Sequence, residues 1–193
     1  MKDRAQIGKK KQKGFSLLEL TVVIAVVFGL IGFGISAAPS LFSSMNSVGE
    51  LSELPTVIMN VKKTAKDRAN YNGLTIDTLA RSNVFAEGRA TIPATGAATV
   101  QNQWGGAVTG AAGTITSTDD IYRLVSQGVP KQECIDTVKG VSKMVRRIYV
   151  DAANSATAGG GSLVKADGGA VVDATLATAC DGASAITFDI GKS

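Results

Sequence analysis

The chain has 193 residues, enough for one ordinary domain with or without an appendage, and it is 45% apolar but only 5% aromatic, with 22 glycines. Histidine is absent, which excludes Ser-His-Asp and Cys-His catalysis and histidine-ligated metals, and two cysteines are too few for a structural zinc site. The formal charge of +4 is concentrated at one end: residues 1–14 hold Lys2, Arg4, Lys9, Lys10, Lys11 and Lys13 against Asp3, while the rest holds 14 basic and 15 acidic residues.

That remainder is near neutral, so composition gives it no basic face and nucleic acid is not an expected partner. Neither a phosphate-binding P-loop nor a dinucleotide-binding glycine motif after a strand occurs in the sequence. No enzyme activity, cofactor or metal is expected.

Residues 20–38 read LTVVIAVVFGLIGFGISAA, without a charge and with only Thr21 and Ser36 as hydroxyls. As a helix this run covers about 28 Å, close to the hydrocarbon thickness of a bilayer. The basic cluster before it predicts a cytoplasmic N-terminus, with the remainder sent across the membrane. A cleavable signal peptide is the alternative, with Ser36-Ala37-Ala38 as its small-residue site. Glu19 decides between them. It is the only charge between Phe15 and Phe42, and a lone carboxylate inside an apolar segment costs a few kcal/mol unless it is paired or neutralised.

Glu19 also stands in register with Gly14 and Phe15. The segment KGFSLLELTVVIAVV resembles the N-terminal signature of type IV pilins and the related type II secretion pseudopilins. The resemblance implies cleavage by prepilin peptidase between Gly14 and Phe15, with N-methylation of Phe15. Glu19 then becomes the fifth residue of a 179-residue mature chain. It further implies an α+β type IV pilin fold, in which a long N-terminal helix with a protruding apolar first half packs on an antiparallel sheet. Residues 1–14 are then the cleaved basic leader, 15–42 the transmembrane or filament-core half of the helix, and 43–193 the globular domain. A glycine at the cut lets extended backbone enter a peptidase without a side-chain clash. The new amine of one subunit can pair with Glu19 of a neighbour, each charge compensating the other's desolvation.

Helical spacing continues beyond the apolar run. Leu41, Met45, Val48, Leu51, Leu54, Ile58, Val61, Ala65 and Ala69 form one stripe, and Glu50, Glu53, Lys62, Lys63, Lys66 and Asp67 are expected on the other faces. One helix from Phe15 to Asn70 is predicted, with Tyr71-Asn72-Gly73 as its stop and bends at Pro39 and Pro55. Gly29, Gly32 and Gly34 lower helix propensity and permit close packing.

Ile76–Arg81 reads as a short helix capped by Thr75. Residues 88–118 read as turns and short strands, among them Ala107-Val108-Thr109 after Asn102-Gln103-Trp104-Gly105-Gly106. Trp104 is expected as a core anchor, and the NxWGG element is similar to one that recurs in pilin domains. Asp119, Asp120 and Asp181 lack calcium-loop spacing and read as solvated acids. A helix begins at Val129-Pro130, with Cys134, Val138, Val141 and Val145 as its apolar stripe. Met144–Asp151 suggests a strand, 152–161 a surface loop, 164–172 a hairpin about Asp167-Gly168-Gly169, and 185–190 a closing strand.

Two cysteines on the translocated side are expected to pair. Cys134–Cys180 resembles the C-terminal disulfide loop of pilins. The loop length and the helix start before Cys134 look most like the type IVb subclass, including plasmid-type thin-pilus major pilins. The short leader and Phe15 as first mature residue depart from that subclass and match type IVa.

The function implied is that of a major pilin, assembled from the inner membrane into an extracellular filament for adhesion, aggregation or mating contact. A minor pilin or a type II secretion pseudopilin is the alternative. The expected partners are further copies of the chain, prepilin peptidase, the inner-membrane assembly machinery, the outer-membrane secretin, and a host or recipient-cell surface.

Overall fold

The apolar periodicity is carried by one long helix, α1 (Leu17–Thr64), whose helical hydrogen bonding continues past both Pro39 and Pro55. It belongs to a computed structural model that describes residues 17–152, 160–182 and 184–192, without the side chains of 32–47. The chain divides into two compact units, Met1–Phe42 and Ser43–Ser193. The predicted helix end at Asn70 is corrected to Thr64. Beyond it the bonds tighten, with Lys66 N–H donating to the Lys63 carbonyl and Arg68 to Ala65, both at 3.1 Å. The buried Tyr71 then donates its N–H to the Asp119 carbonyl at 2.8 Å, which pulls the chain off the helical path.

Within the second unit α2 (Ile76–Arg81) starts where Thr75 predicted, its hydroxyl accepting from Thr78 N–H at 3.2 Å. The remaining elements are β1 (Ala90–Thr91), β2 (Thr99–Gln101), β3 (Ala107–Gly113), β4 (Ile121–Val129), α3 (Lys131–Val141), β5 (Arg147–Ala152), β6 (Ser162–Lys165), α4 (Asp173–Ala179) and β7 (Ser184–Gly191). They build one antiparallel sheet in the order β1-β2-β3-β4-β7-β5-β6. Residues 153–159, most of the predicted 152–161 loop, lie outside the described ones. The 164–172 hairpin is reduced to a single Lys165–Val171 bridge and a turn closed by Gly169 N–H on the Ala166 carbonyl.

The last strand enters the middle of the sheet, between β4 and β5. Every residue of β7 is buried, so the expected closing strand is a fully covered central one. Its Ile186, Phe188 and Ile190 share one core with Tyr122 and Leu124 of β4 and Ile148 and Val150 of β5. Leu54, Val57, Ile58 and Val61 of α1 and Cys134, Val138 and Val141 of α3 complete it. Val57 belongs to this stripe although the sequence reading left it out, while Val48 and Ala69 are exposed. Fully burying one such side chain stabilises the fold by about 1.5–3 kcal/mol. The disulfide joins Cys134 of α3 to Cys180 at the end of α4, with Cα atoms 5.8 Å apart. Closing that 46-residue separation contributes up to about 4 kcal/mol in the chain-entropy model.

The Asn102–Gly106 segment is organised by Asn102 rather than by Trp104. Asn102 is buried; its amide donates to the Ser126 hydroxyl at 2.9 Å and the Gln127 carbonyl at 2.6 Å. Its Oδ1 accepts from the N–H groups of Trp104 at 3.1 Å and Gly106 at 2.8 Å. A side chain at Gly106 would collide with the Gln127 carbonyl, which explains that glycine. Trp104 is only half-buried and packs against the rim of the core.

Asp120 is a structural acid, contrary to the solvated reading. It accepts from Ile115 N–H at 2.7 Å and Thr116 N–H at 3.0 Å, and pairs with Arg146 at 3.0 Å. Burial works to raise its pKa, but the backbone amides and Arg146 outweigh that and hold it below the usual carboxylate range. Asp167 is held low in the same way, first of all by its hydrogen bond from Arg146.

Asp189 has the opposite balance. It is fully buried on β7, with Oδ1 2.9 Å from Arg123 Nε and Oδ2 without a partner. Burial pushes its pKa up, and the Arg123 bond pulls it only partly back. The stability contributed by Asp120 and Asp167 is therefore present above the ordinary carboxylate pKa and lost as pH falls through their lowered values. The cost of ionised Asp189 grows as pH rises through its raised value. In parallel urea melts, the stability of the native chain relative to Asp189→Asn is expected to increase as pH is lowered from 7 towards 4. A difference that stays flat over that window contradicts the desolvation account.

Candidate assembly site

In the first unit, α1 presents a surface that none of the described residues covers. From Leu17 to Ile31 every residue is exposed, including eleven large apolar side chains such as Leu17 at 81%, Phe28 at 69% and Leu30 at 69%. A soluble monomer rarely exposes so continuous an apolar face, and such faces mark contact with protein or lipid. Burying those side chains is worth roughly 15–30 kcal/mol at 1.5–3 kcal/mol each, before the entropy of association is charged against it. Glu19 lies in the first turn of this helix and is exposed, the one carboxylate on the apolar cylinder over Leu17–Ile31. Gly14 and Phe15 lie outside the described residues. Among the described residues no helix is long and apolar enough to cross a membrane. The apolar run read from the sequence extends to residue 38, beyond the side chains described.

The C-terminal part of α1 is fixed to the sheet domain by charge as well as by apolar packing. Glu50 and Glu53 do not decorate a solvated face as expected. Glu50 is 3% exposed, and both carboxylates converge on Arg89, with Nη2 2.8 Å from Glu50 Oε2 and Nη1 2.8 Å from Glu53 Oε2. Further donors reach both carboxylates from two loops. Gln103 N–H donates to Glu50 at 3.2 Å, the Gln103 side-chain amide to Glu53 at 3.2 Å, and Ala86 N–H to Glu53 at 3.1 Å. Arg89 Nε is spent on the Gln101 carbonyl at 2.5 Å. One guanidinium thus bridges α1 to the β1–β2 edge, and each buried charge has directional partners.

Sequence reasoning missed this cluster because Glu50 and Glu53 are charged and Arg89 is far along the chain. The available signal was the spacing itself. Glu50 and Glu53 flank Leu51 and Leu54, so they lie beside the apolar stripe rather than opposite it. Cys134 and Cys180 form the expected disulfide in the second unit. No group of histidine, cysteine or carboxylate side chains that could hold a metal occurs among the described residues.

Residues 44–190 match the family model described as PilS N terminal, and residues 9–37 match the prokaryotic N-terminal methylation motif. The chain belongs to the PilS family. It is a type IV pilin, a structural subunit that polymerises with its own copies, and not an enzyme. No curated protein matches it. Among solved structures, the type IVb pilin from Salmonella typhi has the same fold, at 22% identity and a TM-score of 0.57, over 74% of this chain and 98% of that one. TcpA, a type IV pilin from the El Tor biotype of Vibrio cholerae, matches at 18% identity over 77% of this chain and 99% of its own, with a TM-score of 0.48. An NMR structure of the Salmonella typhi type IVb pilin PilS matches at 20% identity, 74% and 94% coverage and a TM-score of 0.45.

For this PilS-family pilin, Arg89→Met should leave the buried Glu50 and the part-buried Glu53 without their cation and destabilise the domain by about 3–5 kcal/mol. The urea midpoint of the full chain in detergent reads that loss. Adding Glu50→Gln and Glu53→Gln to the same chain should restore part of it. A single variant as stable as the native chain shows that Arg89 does not hold the helix.

Proposed function

We propose that the chain is the major pilin of a type IVb pilus, made as a prepilin and processed after Gly14 by prepilin peptidase, with N-methylation of Phe15. In this reading residues 15–42 hold the subunit in the inner membrane with a cytoplasmic N-terminus. Residues 43–193 form the surface-facing domain. Assembly machinery of the inner membrane extracts the subunit, and the growing filament leaves through an outer-membrane secretin. Outside the cell it serves adhesion, aggregation or mating contact.

The observation that carries the reading is a bare apolar helix bearing a single carboxylate, Glu19, four residues after Phe15. Cleavage at Gly14 creates a cationic amine at Phe15. In a filament the apolar cylinders of neighbouring copies bury one another, and an amine or a carboxylate left alone there costs several kcal/mol. Pairing the amine of one copy with Glu19 of the next removes both costs at one stagger only. The pair selects register rather than supplying the bulk of the binding, which comes from apolar burial.

Two measurements test this. Intact mass and N-terminal sequencing of filaments sheared from cells should give a chain that starts at methylated Phe15, lighter by two hydrogens without reductant. A start near Pro39 contradicts prepilin processing. Glu19→Ala should be inserted and cleaved normally but yield few filaments by electron microscopy, whereas wild-type numbers of pili contradict the pairing.

A further inference from the structure

The second unit carries an open cavity of about 730 Å³ between the C-terminal end of α3 and the 166–171 turn. Its lining concentrates positive charge, with Lys139, Lys143, Arg146 and Lys165 against Asp167. Their partners divide these cations into two kinds. Arg146 is consumed by Asp120 and Asp167, with Nη1 and Nε each engaged near 3.0–3.1 Å. Lys139 pairs with Asp173 at 3.1 Å. Lys143 and Lys165, by contrast, have no carboxylate within salt-bridge distance among the described residues.

Lys165 is the unusual one. It is only 7% exposed, and its ammonium donates to the Arg146 carbonyl at 2.9 Å and the Ala166 carbonyl at 3.4 Å. An ammonium has three N–H groups, so one remains for a ligand. A lysine at the end of a helix, such as Lys139 or Lys143, is accounted for by the helix dipole. Lys165 sits on a strand, and that argument does not reach it. Counted with Asp120, Asp167 and Asp173, the cluster retains a single positive charge on an otherwise near-neutral body.

We propose that this cavity binds a carboxylated saccharide of the uronate type. A single net charge with two ammonium groups that lack a salt bridge matches one carboxylate; a polyphosphate or nucleic acid would meet too little positive charge to hold it. The volume falls within the range of small-molecule sites and far exceeds what a carboxylate alone needs. Ala170 and Val171 offer apolar surface for a sugar ring, and the Ser142 hydroxyl supplies a further polar contact. This deepens the surface-contact reading above and rests on it only for the ligand's source, an acidic polysaccharide on a contacted cell.

The test is saturation-transfer NMR on the full chain in detergent, titrated with glucuronate, glucose and acetate, so it does not depend on pilus formation. Glucuronate should bind; glucose should bind about tenfold more weakly or not at all through loss of the charge-assisted contact, and acetate, which keeps the carboxylate, should bind about tenfold more weakly through loss of the ring contacts. Lys143→Gln, an exposed substitution outside the core, should weaken glucuronate by about the same factor while leaving the urea midpoint unchanged. Three results overturn the proposal: no glucuronate binding at millimolar concentration, equal binding of glucose or acetate, or unaltered binding by Lys143→Gln. If glucuronate binds while the same chain's pili fail to attach to cells coated with acidic polysaccharide, the site stands and the contact role fails.

Discussion

An apolar helix with no cover of its own is the constraint on which the rest of this molecule depends. Over Leu17–Ile31 the chain offers a cylinder of aliphatic and aromatic surface that water cannot stabilise. Burial there has no directional preference and would accept many staggers, because apolar contact scales with area rather than with particular atoms. In the filament proposed above, a single carboxylate would supply the missing direction. There Glu19 would make wrong registers expensive and one register acceptable, so that charge would specify an assembly driven by the hydrophobic effect.

A subunit used in this way must keep its domain attached to the helix under load, and the second unit shows how. Apolar packing of Leu54, Val57, Ile58 and Val61 supplies area, while Arg89 locks Glu50 and Glu53 to the β1–β2 edge. Further into the sheet, the final strand is inserted between β4 and β5, and the disulfide ties α3 to the segment that leads into it. The chain therefore cannot shed its C-terminal end without opening the centre of the sheet. A core built across such distant segments is slow to assemble but hard to unravel from an end.

Much of this was legible from residues, and the misses share a cause. The helix, the Thr75 cap, the cysteine pair and the strands β3, β5 and β7 follow from local patterns of period, capping and compartment. The strand β4, Ile121–Val129, was not anticipated, because a strand covered on both faces loses the alternation by which strands are read. In β7, by contrast, Ile186, Phe188 and Ile190 keep the alternation although both faces are covered, so the strand was legible but its central place was not. The helix α4 is built from alanine, threonine and one leucine, which leaves almost no apolar period to detect. Glu50, Arg89, Asp120 and Arg146 were read as solvated or passed over. Their pairing joins residues 26 to 39 positions apart, and no local pattern encodes that.

The central claim is that copies of this chain bury each other's apolar helices in a register set by Glu19. Cryo-electron microscopy of sheared filaments at side-chain resolution tests it most directly. The account predicts Leu17–Ile31 packed against the same segment of neighbouring subunits at the filament axis, with each Glu19 carboxylate in hydrogen-bond contact with an N-terminal amine. Filaments in which this segment lies at the surface, or in which Glu19 is buried with no cationic partner, would contradict it.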